Sequence, residues 1–320
     1  MTRLNLALLV GVLLAVCLSV ASGKVWVPLD AWTAVDPRSI IIVELRLPRT
    51  VMALLVGAAL GLSGAVMQGY LRNPLADPGL FGVSSGAALG AVVSLYFGYA
   101  AQIWLLPTFA LVGAAGTMAL LALIAGRSGS LILFTLAGMI LTSIAGSLTA
   151  LAISLAPTPF VSSQIVTWLL GALTDRSWDD VKVALPIIVI GAGLLATTAR
   201  SLDALTLGEQ AARSMGVDPG RLQWVVIAGI ALTVGAAVAS AGVIGFVGLI
   251  VPHMVRPFAG NRPSAVLLPS ALGGALLLTL ADSLVRLAPT VSELRLGIAM
   301  SMLGGPFFLY LLIRMRRRLA

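Results

Sequence analysis

Apolar runs of about bilayer length follow one another along almost the whole chain, separated only by short polar gaps. A helical span needs roughly 20 mostly apolar residues, and runs of this kind lie near 4–22, 50–70, 80–98, 103–125, 131–155, 181–199, 223–243, 245–256, 265–285 and 296–313. Composition agrees: 59% of the residues are hydrophobic and only 10% charged, where a soluble domain carries about 25% charged residues. The 320 residues are filled by about ten spans, which leaves no sizeable soluble domain and excludes a soluble enzyme. The expected fold is all-α and polytopic, one transmembrane domain over residues 1–320. The first run, behind Arg3, also has the look of a signal peptide with a small-residue cleavage site around Ala21, Ser22 and Gly23. The later spans make a retained first helix the simpler reading.

The formal charge of +8 is distributed as a membrane topology rather than as a nucleic-acid patch. With a cytoplasmic N-terminus and an even number of spans, twelve of the 20 basic residues fall inside: Arg3, Arg72, Arg127, Arg200, Arg213, Arg221, Arg256, Arg262 and the tail Arg314, Arg316, Arg317 and Arg318. Lys24, Arg38, Arg46, Arg49, Arg176, Lys182, Arg286 and Arg295 fall outside. The positive-inside rule therefore favours both termini in the cytoplasm. Residues 23–49 (Trp26, Pro28, Trp32, Pro37) and 156–180 (Pro157, Pro159, Trp168, Trp178) become external connections with interface-seeking tryptophans. Residues 200–222 form a polar cytoplasmic connection, expected to be helical, where a soluble partner could dock.

Several chemistries have no residues to carry them. Cys17 is the only cysteine, read as a small buried thiol within an apolar run, so the chain has no disulfide or cysteine-built metal site. His253 is the only histidine and the acids are not clustered, which speaks against a metal centre. There is no GxxxxGK[ST] loop; the one Gly-Lys pair is Gly23–Lys24, followed by Val25. If ATP drives transport, another chain hydrolyses it. GxSxG and HExxH are absent too, so a membrane enzyme has no motif behind it. A secondary transporter would want mid-span carboxylates, and apart from Asp282 near a span end none stands out.

The polar and small residues inside the apolar runs carry more information. Gly57 and Gly61, Gly82 and Gly86, and Gly86 and Gly90 have the four-residue spacing that lets helices approach closely in lipid. From Gln68 through RNPLADPGLFGVSSGA, Pro74 and Pro78 interrupt any helix. Asn73, Asp77, Ser84 and Ser85 there suit either a cytoplasmic turn or backbone lining a cavity. Residues 131–155 carry Thr135, Ser143, Ser147, Thr149 and Ser154. Ser143, Ser147 and Ser154 share one helical face, which could line a passage or bond backbone within the bundle. Asp282 and Arg286, four apart, can pair. Arg46, Arg49 and Arg286 beside apolar spans are either exposed anchors or a docking surface for carboxylates of a soluble partner.

Taken together, RLPRTVMALLVGAALGLSGAVMQ (46–68), RNPLADPGLFGVSSGAALG (72–90), LGEQAARSMGV (207–217), GVIGFVGLIVPHMVR (242–256), ADSLVR and GGPFFLYLL resemble one family. It is the FecCD type of permease subunit, from binding-protein-dependent ABC importers of iron–siderophore complexes, heme and cobalamin. The resemblance implies a type II importer permease of ten helices, paired with a second copy or a related permease around a central pathway in the bacterial inner membrane. Two ATPase subunits beneath would hold ATP and Mg, with no cofactor on this chain, and a periplasmic or lipid-anchored binding protein would dock outside. It places ATPase coupling on Leu207, Gly208, Glu209, Ala212, Arg213, Met215 and Gly216. Binding-protein docking falls on Arg46, Arg49 and Arg286, with Arg295 added by this chain. The gate and pathway fall on Asn73, Leu75, Ser143, Ser147 and Ser154. His253 in VPHMVR reads as structural. Two departures stand out: Glu293–Leu294–Arg295 replaces the family's Glu-Leu-Pro, and Phe81 stands where a smaller aliphatic residue is usual. The implied cargo is an iron(III) chelate, siderophore first and heme next, with cobalamin as the alternative.

Overall fold

The computed structural model of the chain describes residues 2–28, 32, 38–99, 102–125, 131–289 and 293–319. Pro37, Arg127 and the side chains of Arg316, Arg317 and Arg318 lie outside the described residues. Among those described there are thirteen α-helices and no strand. They are α1 (Arg3–Ala21), α2 (Leu47–Tyr70), α3 (Val83–Tyr96), α4 (Leu105–Ala125), α5 (Leu131–Ser154), α6 (Pro159–Leu169) and α7 (Trp178–Thr197). The others are α8 (Ala199–Leu205), α9 (Glu209–Ser214), α10 (Pro219–Ala241), α11 (Val247–Val255), α12 (Pro263–Leu287) and α13 (Leu296–Leu319).

Eight of these helices are long and apolar enough to cross a membrane. The two other expected spans are shorter than a straight crossing requires. α3 has 14 residues and α11 nine, about 21 and 14 Å of helix. Pro78 begins a short 3-10 turn ahead of α3. The chain enters α11 through a non-helical stretch ending at Phe246, whose φ is +69°. That stretch is enclosed by protein, with Gly242 and Ile244 buried and Val243, Gly245 and Phe246 half-buried, as non-helical backbone at membrane depth requires.

α2 and α10 are the inner helices, while α1, α5, α7 and α13 leave most of their surface open. α2 lies along α12, α3 along α4, and α10 packs on α7 and α4. The glycine spacings account for two of these crossings. A Cβ on Gly57 or Gly61 would run into the backbone of Gly274 or Ser270 on α12, and one on Gly86 or Gly90 into α4. α2 is preceded without a break by a π-helical segment, Ile41–Arg46, so the second helix begins well before the expected residue 50. The wider register accommodates Pro48, which lacks an N–H, and Thr50 donates its hydroxyl to the Arg46 carbonyl at 2.8 Å.

Cys17 is exposed, contrary to the sequence reading. α1 is apolar on all sides, yet only the face carrying Asn5, Ala15, Ser19 and Val20 is buried, and Cys17 lies off it. Phe81 is accommodated locally: its ring packs 5.6 Å from that of Phe134, and its side chain fills the notch left by Gly138 on α5.

α1 and α12 run parallel, since Gly11 abuts Leu276 and Ser19 meets Arg286. α12 starts beside α8, where Ser264 bonds Asp203. α13 starts at the opposite end, Gly297 packing on Leu170 and Val243, and returns past His253. The bundle thus has one end holding the start of α1, the end of α13, α8 and α9, and another holding α6 and the start of α13.

Candidate functional site

The α6 end carries the expected docking arginines, and the structure corrects their exposure. Arg46 is buried and donates to the carbonyls of Val20 and Ala21, both at 2.9 Å, and to that of Val25, closing the end of α1. Arg49 grips Asp282 with Nε at 3.0 Å and Nη2 at 2.8 Å, and reaches Glu293 with Nη1 at 2.9 Å. Arg286, also buried, pairs with Asp282 at 3.0 Å, as its four-residue spacing predicts. It also donates to the Ser22 carbonyl and to the Ser19 hydroxyl. The cluster joins α1, α2, α12 and the start of α13, so carboxylates from another protein could reach Arg46, Arg49 or Arg286 only by displacing these bonds. Arg295 differs, being half-buried with no side-chain partner among the described residues.

At the other end, α2 closes in a Schellman motif. The Asn73 N–H bonds the Gln68 carbonyl at 3.1 Å and the Arg72 N–H bonds that of Gly69 at 3.3 Å, with Arg72 at φ +50°. Asn73 then accepts from the Leu75 N–H at 2.9 Å in an Asx turn. Asn73 is exposed and Leu75 half-buried, both in the turn that follows α2. Gln68 ties the turn to α11: its Nε2 donates to the Gly248 and Leu249 carbonyls at 3.3 Å, and Arg256 donates to its Oε1 at 2.7 Å. Residues from two separated motifs, 46–68 and 242–256, thus meet in one network. His253 stands by it with its ring edge-on to Phe307.

Asp77, half-buried in this turn, accepts from the Gly79 N–H at 2.8 Å. Its other carboxylate oxygen lies beside Gly248 at the start of α11.

The connection 200–222 is helical as expected, folded as α8, α9 and the first turn of α10. Gly208 at φ +100° and Gly216 at φ +85° bracket α9 in conformations that a side chain would strain. Gly216 closes a second Schellman motif: its N–H bonds the Arg213 carbonyl and the Val217 N–H that of Ala212, both at 3.0 Å. Ala212 is buried and anchors α9, and Arg213 pairs with Glu209 at 2.7 Å. Leu207 and Met215 stand at the two ends of α9 with roughly two-thirds of their surface open. A link that sequence reasoning missed ties α8 to α12: Asp203 accepts from the Ser264 N–H at 2.9 Å and its hydroxyl at 2.6 Å. The only available signal was a serine near the start of a span.

Ser143, Ser147 and Ser154 share a face as expected, and it is exposed, interspersed with open Ile140, Ile144, Leu148 and Leu151. They point away from the bundle, so within one chain they enclose nothing.

The sequence profile of the FecCD transport family matches residues 8–314. The chain is 36% identical over 321 residues to the Fe(3+) dicitrate transport system permease protein FecD of Escherichia coli K12, covering 98% of this chain and all of that protein. It is 39% identical to the vitamin B12 import system permease protein BtuC of Shigella boydii, over 98% and 96% of the two chains. A metal-chelate type ABC transporter solved in an inward-facing conformation superposes with a TM-score of 0.87 at 31% identity, covering 97% of this chain and 98% of that one.

Proposed function

The chain belongs to the FecCD transport family, and on that premise we propose that it passes an iron(III) chelate, a siderophore complex first and heme second, from a docked binding protein into the cytoplasm. That it is a multi-pass permease of the ABC-importer type is shared by its relatives. The observation carrying the iron reading is the end-to-end alignment with a ferric dicitrate permease. A second reading, cobalamin, is favoured by the vitamin B12 permease at similar identity. Reconstituted with its ATPase and candidate binding proteins, the complex should hydrolyse ATP faster with a ferric-chelate-loaded protein than with a cobalamin-loaded one. The reverse order would establish the second reading.

In this mechanism the chain performs conformational work, and ATP and Mg reside on two partner ATPase subunits. Coupling rests on α9, whose glycine-bracketed shape presents Leu207 and Met215 as apolar knobs between polar neighbours, a form suited to a cleft in a soluble partner. The gate is assigned to Asn73 and Leu75. The outward serine face of α5 becomes a pathway once a second permease copy, identical or paralogous, supplies the opposite wall; small hydroxyls would let a chelate pass without holding it. Docking of a periplasmic or lipid-anchored binding protein is assigned to the α6 end, with Arg295 and the Arg49–Glu293 pair at its rim and Arg46 and Arg286 shaping it from beneath. Both termini then lie in the cytoplasm of an inner-membrane protein, a reading supported by the start of α1 and the end of α13 at the α8–α9 end. Leu207→Asp with Met215→Asp should leave the chain folded and abolish ATP-driven uptake, at least tenfold down in vesicles. Uptake at wild-type rates would exclude α9 as the coupling element.

A further inference from the structure

Around α8 and α9 the charges are out of balance. The acids near them are all engaged: Asp203 by Ser264, Glu209 by Arg213, and Asp218 by the N–H groups of Gly220 and Arg221 at the start of α10. Arg200, Arg221 and Arg262 have no side-chain partner among the described residues. Arg200 and Arg221 line one cavity of about 470 Å³, bounded also by Thr197, Ser201 and Asp218. Arg200 follows the last turn of the α7 span and Arg221 lies in the first turn of the α10 span, so the cavity sits at the level where two adjacent spans leave the apolar layer. Along α10, Arg221, Trp224 and Ala228 are exposed at three- and four-residue steps, an outward stripe headed by an interface-seeking tryptophan. Beside it α7 exposes Leu185, Val189 and Ile190.

We propose that this cavity binds the phosphate headgroup of an anionic phospholipid, held between Arg200 and Arg221, with the acyl chains lying along the Trp224 stripe and the open face of α7. Basic pockets at the ends of neighbouring spans suit such headgroups, each arginine contributing roughly fivefold in affinity. The Asp218 carboxylate also borders the cavity, with its Oδ1 held by the N–H groups of Gly220 and Arg221, and the two arginines outnumber it. The cavity also borders Met215 and Gly216 at the end of α9, so a bound lipid would brace the coupling segment. The inference is independent of which substrate is carried.

Native mass spectrometry of the purified chain, with phosphatidylglycerol and phosphatidylcholine of matched acyl chains, tests it directly. Wild type should retain phosphatidylglycerol about thirtyfold better, and Arg200→Gln with Arg221→Gln should bring the two lipids to near parity at unchanged elution volume. Absence of a preference in wild type overturns the proposal, whether or not the variant folds. So does retention of the preference in the variant, displacement of the lipid by equimolar inorganic phosphate, or cross-linking of either position to a carboxylate of the ATPase in the assembled complex.

Discussion

Asp282→Ala is expected to destabilise the folded chain by about 3–5 kcal/mol, the cost of removing the acid from a buried ion pair. The Asp282 side chain is 1% exposed and holds two guanidiniums, Arg49 through a bidentate contact and Arg286 through a single one. Without it, Arg286, 4% exposed and with an Nε that already has no partner, and Arg49, whose side chain is 11% exposed, are left as neighbouring like charges. Asp282→Asn should fall between alanine and wild type, since it keeps an acceptor and loses the charge. Glu293 serves as the internal contrast. It bonds the same Arg49 but its side chain is 26% exposed, so Glu293→Ala should cost about 1 kcal/mol or less. Thermal unfolding in detergent checks both. Equal losses for Asp282→Ala and Glu293→Ala would mean that the cluster is not organised around Asp282.

Gly64→Val should prevent α11 from seating on α2 and remove most of the folded protein from the membrane fraction. A Cβ at Gly64 would fall well inside 3.0 Å of the Gly248 backbone, which is not the flexible end of a side chain and has nowhere to go. With nine residues, α11 cannot hold its place through length. It depends on this crossing and on the Gln68 amide that bonds the Gly248 and Leu249 carbonyls. Gly116→Ala on α4 is the matched control, because a Cβ there meets nothing within 4 Å, and its effect should stay within about 1 kcal/mol. Fluorescence-detected size exclusion of the two variants reads out the difference. A monodisperse Gly64→Val at wild-type yield would show that the two helices can separate freely.

The close approach of α2 to α12 was legible in the chain because four-residue glycine spacing has one strong physical meaning in lipid. The Asp282–Arg286 pair was legible because it is local to one helix, and the connection 200–222 because its polarity breaks the apolar pattern. What failed was the environment of the arginines. Position beside an apolar span suggested exposure for Arg46, Arg49 and Arg286, yet their partners are Val20, Glu293 and Ser19, far away in sequence. The reading of Cys17 failed for a related reason. An all-round apolar helix does not announce which side meets protein and which meets lipid.

Apolar content, run length and punctuation by Gly, Pro and charge determined by themselves that this chain is a polytopic helical membrane protein, since those features act within single segments of backbone. The tertiary structure alone decided that two of the expected spans are short helices enclosed by their neighbours, that Asp282 gathers two buried arginines, that Asp203 clamps α8 to α12, and that the α5 serines face outward. Each of these depends on which distant surfaces come within hydrogen-bonding or van der Waals reach, a matter of three-dimensional packing that no local pattern of residues encodes.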